Sequence, residues 1–243
     1  MLRRVINLDP RWYVIAAILV LAVLGFKAYG SIVLSHVAGV CLITVLLDGF
    51  FLYLRKRELE FPLSGLVTGL IISSVLAPGN LFFIAPIAAI LFKHLFRVFG
   101  KHIFNPAGFG LFVANVFFRL PLTWWLTTNI LLVVIFGLVL AYKVRKLGLA
   151  LSFFCAMFVL SVVYSLINHQ PALSNISLIN FFFILFMLVE PKTSPFYVKG
   201  QVVYGALTAG LALASLVFFS RYDFLISGLM AGNIINLFLR KAG

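Results

Sequence analysis

Leu63-Ser-Gly-Leu-Val-Thr-Gly-Leu-Ile-Ile-Ser-Ser-Val-Leu-Ala77, closed by Pro78-Gly-Asn80, reads as a membrane helix that stops too soon. At about 1.5 Å per residue it rises only about 23 Å. The hydrocarbon core of a bilayer is about 30 Å thick. A second run, Ser177–Glu190, has the same fault: it rises about 21 Å and ends at Pro191. Around these two lie longer apolar runs at Trp12–Tyr29, Ser31–Leu54, Leu81–Val98, Phe104–Leu120, Thr123–Tyr142, Gly148–Ile167, Gln201–Ser220 and Asp223–Arg240. The chain is 63% hydrophobic and 10% charged. A soluble domain is near half apolar and a quarter charged, so the runs are read as transmembrane helices. Met1 to Pro10 has no apolar core, and the first run is expected to be a retained span.

The basic residues test this division. With the N-terminus inside, all 19 Lys and Arg residues except Lys27, Arg119 and Arg221 fall on the inner side. Such a bias follows the positive-inside rule and puts both termini in the cytoplasm. It also accounts for the net charge of +13 without a nucleic-acid partner. Trp12 and Tyr13 are expected at the inner interface, and Trp124 and Trp125 at the outer one. Cys41 and Cys155 are isolated within apolar runs and form no metal or disulfide framework.

The undersized runs are the third and the eighth of ten. In a division into residues 1–120 and 121–243 they occupy equivalent places. A five-span unit begins on one side and ends on the other, so its repeat is inverted. Matched broken helices in inverted repeats point to a central site. Asn105, Gly110 and Asn115 recur at constant spacing as Asp223, Gly228 and Asn233. The expected fold is thus an all-α polytopic membrane protein of about ten transmembrane helices. They form two inverted five-helix repeats with a short or broken third helix in each.

Three stretches go beyond membrane composition. They are Ser64-Gly-Leu-Val-Thr-Gly-Leu70 running to Leu76-Ala-Pro78, Phe92-Lys-His-Leu-Phe-Arg-Val-Phe-Gly-Lys-His-Ile-Phe-Asn-Pro-Ala107, and Phe186-Met-Leu-Val-Glu-Pro-Lys-Thr-Ser-Pro195 with Lys199-Gly200 and Tyr204-Gly-Ala206. Together they resemble the RnfD/NqrB family, membrane subunits of ion-translocating electron transport complexes. The resemblance covers roughly residues 60–240. It implies an inverted-repeat fold related to urea and ammonium transporters, a flavin cofactor, and other membrane and peripheral subunits as partners. Typical members carry FMN covalently on the threonine of a Ser/Asp-Gly-Ala-Thr motif. That motif is absent; Tyr204-Gly-Ala-Leu-Thr208 is the nearest string. The expected cofactor is therefore FMN or riboflavin held non-covalently.

Candidate site residues fall into two groups. Lys93, His94, Lys101 and His102 crowd the inner edge before Asn105-Pro106, an N-cap and first-turn pair opening a helix. A helix N-terminus attracts anions, so these six are candidates for a flavin phosphate, a partner subunit or a lipid headgroup. The alternative is a capped helix among ordinary inner-side charges. The second group forms a candidate ion pathway. Asp48 is an ionisable group at membrane depth, there to carry a proton or sodium ion or to pair with the basic rim. Glu190, Thr193 and Ser194 offer oxygens beside a broken helix. Thr68 and Asn233 are polar groups within spans that need internal partners, as pathway or as helix glue. No nucleophile–base pair and no metal-binding spacing is present.

These readings predict a multi-pass subunit of the plasma or inner membrane, not a complete enzyme alone, that supports electron transfer coupled to Na+ or H+ movement. A small-solute or ion channel of urea-transporter-like fold is the alternative. Cysteine-accessibility labelling of the Arg55–Arg57 and Arg145–Lys146 loops should find both on the same membrane face. Opposite faces would remove the inverted repeat.

Overall fold

In the absence of water a backbone must satisfy its own hydrogen bonds, and helices do so within one segment. The computed structural model describes residues 9–98, 101–125 and 129–239, with every side chain among them except those of Lys27, Ala28, Lys101 and Leu239. Arg3, Arg4, Arg240 and Lys241 lie outside the described residues.

The helices are α1 (Pro10–Tyr29), α2 (Ile32–Lys56), α3 (Leu63–Val75), α4 (Ile84–Leu95), α5 (Pro106–Phe118), α6 (Ile130–Lys143), α7 (Leu147–Ile167), α8 (Val198–Phe218) and α9 (Phe224–Leu239). A small hairpin of β1 (Arg97–Val98) and β2 (Lys101–His102) joins α4 to α5. A 3-10 turn (Ile176–Leu178) and a π-helical turn (Phe183–Met187) stand between α7 and α8. Among the described residues α2, α7 and α8 are long and apolar enough to cross a membrane.

Several expected spans are shorter than their apolar runs. The run at 81–98 yields α4 of 12 residues, because 80–83 form turns and 97–98 join the hairpin. The run at 123–142 yields α6 of 14 residues, because the backbone of Thr123 and Trp124 bonds the end of α3 instead. The run at 177–190 coils only around the π-helical turn. Shortness thus marks more than the third and eighth runs.

Burial does single those two out. Leu70 to Leu76 and Phe182 to Val189 are buried on every side, as an all-round apolar segment at the centre of a bundle must be. The outer helices show the opposite pattern. On α2, Leu34, Leu42, Leu46 and Phe50 are exposed, while His36, Val40, Thr44 and Asp48 form the buried face. Greasy residues outward and polar ones inward is what lipid solvation favours. This is an all-α membrane protein.

The interrupted helices need partners for their last carbonyls. At the end of α3, Val75 O accepts from Thr123 N at 2.9 Å and Trp124 N at 3.2 Å, and Ala77 N donates to Pro121 O at 3.1 Å. Leu76 pairs with Leu122 and accepts from Trp125 Nε1 at 3.1 Å. Both expected belt tryptophans therefore point inward; Trp124 Nε1 donates to Asp223 at 3.0 Å. Trp12 is 46% exposed, and Lys143 sits over the Tyr13 ring.

Small residues bring the helices close. A Cβ at Gly65 would stand 2.9 Å from Thr44 O, and one at Gly69 would stand 2.9 Å from Cys41 Cα and press on the Thr44 hydroxyl. Overpacking of this kind costs about 1–3 kcal/mol. Gly69→Ala should lower the thermal unfolding midpoint in detergent, whereas Gly79→Ala, where a Cβ meets nothing within 4 Å, should leave it unchanged.

Candidate functional site

The site forms where helix ends meet. The N-terminal ends of α1, α3 and α5, the C-terminal ends of α4 and α6, and the residues after the π-helical turn enclose a cavity of about 380 Å³. Its walls are apolar along Val14, Val67, Ile71, Leu140, Val144 and Phe186. Its other border is polar, with Ser64, Thr68, Lys93, His102, Asn105 and Glu190. Thr68, Lys93, His102, Asn105, Pro106 and Glu190, drawn from both candidate groups, thus meet around one space.

Asp48 stands behind that border, fully buried. Lys93 Nζ donates to its two carboxylate oxygens at 2.7 and 2.8 Å and to Ser64 Oγ at 2.6 Å. Ser64 Oγ donates in turn to Asp48 Oδ2 at 3.1 Å. His94 Nε2 donates to Asp48 Oδ1 at 2.6 Å, its ring stacked on Phe51. A buried charge is tolerated when paired and hydrogen-bonded, and here the carboxylate has three donors. The structure brings Asp48, Lys93 and His94 into one cluster across α2, α3 and α4, although the sequence assigns them to different groups.

Across the cavity, His102 Nε2 donates to Glu190 Oε1 at 3.1 Å and Thr193 Oγ1 to Glu190 Oε2 at 2.8 Å. Ser194 Oγ donates to Glu190 O at 2.7 Å, and Asn236 Nδ2 to Thr193 O at 2.5 Å. Asn105 works in two directions. Its Oδ1 accepts from Gly108 N at 3.0 Å, capping α5, and its Nδ2 donates to Met187 O at 2.9 Å. One N–H of the α5 N-terminus is thus met by its own cap, while the same side chain ties down the end of the π-helical turn. At the mouth, Arg11 donates to Asp9 through its side chain, and this holds the Asp9 carboxyl below the usual carboxylate range.

Asn233 lies apart from the cavity lining. Its Oδ1 accepts from Tyr204 Oη at 2.7 Å, and its Nδ2 has no partner among the described residues. The side chain of Lys101 lies outside the described residues. Sequence reasoning misses two participants. Lys146, counted with the basic rim, is buried and reaches the carbonyls of Ser194 and Pro195. Ser64, a common residue in a small-residue helix, joins Lys93 to Asp48. No local pattern distinguishes either.

Fold and site define an all-α membrane protein with a chamber of paired charges between two interrupted segments. The model of the NQR2, RnfD, RnfE family matches residues 9–130, and the chain belongs to that family. It is similar to proteins of Pseudomonas aeruginosa strains LESB58, UCBPP-PA14 and PAO1, each named as a subunit of an ion-translocating oxidoreductase complex. Each is 38% identical over 104 residues, which cover 40% of this chain and 30% of the relative. The match therefore spans less than a third of those relatives' length.

Asn105→Ala removes a cap and strands a buried carbonyl, a loss of about 2–4 kcal/mol. Its unfolding midpoint in detergent should fall well below that of Asn105→Asp, which keeps the capping oxygen. Both variants lose the bond to Met187 O, so equal midpoints would mean that the cap on α5 matters little.

Proposed function

We propose that the chain is the membrane subunit of an ion-translocating oxidoreductase complex and that its chamber holds a flavin non-covalently. The observation that carries this reading is the cavity shared by the Lys93–Pro106 and Phe186–Lys192 stretches. Family membership favours it over a solute channel. The cavity is of the size ligand sites take. An isoalloxazine has an apolar dimethylbenzene edge and a polar pyrimidine edge, and the chamber offers one wall of each kind. Three of the charges at its border are paired, Arg11 with Asp9, Lys93 with Asp48 and His102 with Glu190, and Lys192 adds a further positive charge to the lining. The flavin held there is FMN or riboflavin, with Lys192 in the lining the charge nearest to hand for a phosphate. His102 and Asn105 would hold the polar edge, with the Lys93 ammonium facing it as a charge, Pro106 at the first turn of α5, and His94 and Lys101 beside them. A flavin supplies one- and two-electron chemistry; the protein's residues bind and orient it and exclude water.

The same reading has ten spans in two inverted repeats, 1–120 and 121–243, with both termini in the cytoplasm and the chamber on that side. Equivalent pairings support it: α4 lies along α5 as α8 lies along α9. Gly110 abuts Ala85 as Gly228 abuts Ala212. Asn105 caps α5 as Asp223, accepting from Ile226 N at 2.9 Å, caps α9. Thr68 and the Glu190–Thr193–Ser194 loop, with Asn233 beyond it and Asp48 across from it, form the ion path. Partner subunits supply the nucleotide and iron–sulfur chemistry, and the bilayer of the plasma or inner membrane surrounds the whole.

Protein extracted gently from native membranes should show a flavin absorption spectrum, and acid should release the chromophore into the supernatant as FMN or riboflavin. A colourless protein that brings no redox subunit with it would overturn this function.

A further inference from the structure

We propose that Lys93 sets the reduction potential of the flavin in this chamber; this rests on the flavin reading above. Lys93 is 7% exposed and borders the cavity. All three of its ammonium protons are engaged, two by Asp48 and one by Ser64. It therefore offers the cavity a fixed charge rather than a hydrogen bond. Asp48 does not border the cavity, so a ligand there meets the positive end of the pair first and the negative end behind it.

Such an arrangement contributes little to stability. Replacing a buried ion pair with well-packed apolar residues is often neutral or stabilising. At a cavity wall of low dielectric, though, an oriented pair of charges acts strongly on any charge that changes within the cavity. Reduction of a flavin by an electron-transfer subunit places negative charge on the pyrimidine side of the ring. A fixed ammonium at the polar border stabilises that state relative to the oxidised one. Asp48 keeps the ammonium in place, and Ser64 and His94 keep Asp48 in place. His94 is a positioning residue here and touches no ligand.

The test is a redox titration of the flavin bound to the full chain, compared across Lys93→Met, Lys93→Arg and the double variant Lys93→Met with Asp48→Asn. Loss of the charge should weaken binding of reduced flavin relative to oxidised flavin by about tenfold or more, which for a two-electron couple lowers the midpoint by about 30 mV. Lys93→Arg should stay close to the unaltered protein. If Lys93→Met does not fold because Asp48 is left unpaired, the double variant, which removes both charges, decides. Bound flavin with an unchanged midpoint in the charge-deleted variant overturns the proposal and leaves the flavin reading intact. A midpoint in Lys93→Arg that falls as far as in Lys93→Met also overturns it. An unaltered protein that binds neither FMN nor riboflavin overturns both.

Discussion

Carbonyls at the end of a helix that stops inside the protein have no water to turn to, and this structure is arranged around answering them. Val75 and Leu76 are answered by Thr123, Trp124 and Trp125 across the junction between the two halves of the chain. Met187 is answered by Asn105. Each bond links an interrupted segment of one half to residues of the other. Without them each unmet group costs several kcal/mol in hydrocarbon, and neither segment is stable at the centre of the bundle.

The second of these interruptions opens on the chamber, which lies at the opposite end of α3 from Val75 and Leu76. Where α3 begins and the π-helical turn ends, helix termini from both halves converge, and their polar residues cannot all face outward. They pair instead. Asp48 finds Lys93, Ser64 and His94, while Glu190 finds His102 and Thr193. π-helical turns recur at functional sites, and this one, Phe183–Met187, ends three residues before Glu190. Packing requires the pairing, and pairing leaves a border of oriented charges around a greasy hollow.

Gly65 and Gly69 matter to this arrangement as much as the charges do. They let α3 approach α2 until Ser64 reaches Asp48. A helix of larger residues would hold the hydroxyl away, and the Lys93 ammonium would lose one of its three acceptors. The small residues of the short run and the acid two turns from the end of α2 are thus one device, spread over two helices.

Much of this was legible beforehand. The apolar runs, the basic rim, the two defective spans and most of the polar residues bordering the chamber could be read because they depend on composition, periodicity and local capping. Asn105-Pro106 announces a helix start anywhere. What could not be read is who meets whom. Asp48 left two readings open, and its pairing with the basic rim exists only because α4 approaches α2. Trp124 and Trp125 look like an interfacial belt, yet Asp223 engages the first indole and a carbonyl at the end of α3 the second. The ends of α4 and α6 recede from their apolar runs because flanking residues find better hydrogen bonds elsewhere in the fold. Hydrophobicity and helix signals are properties of neighbours in the chain, and the sequence by itself determined those; ion pairs, capped carbonyls and cavities belong to residues far apart in the chain, and only the tertiary structure decided them.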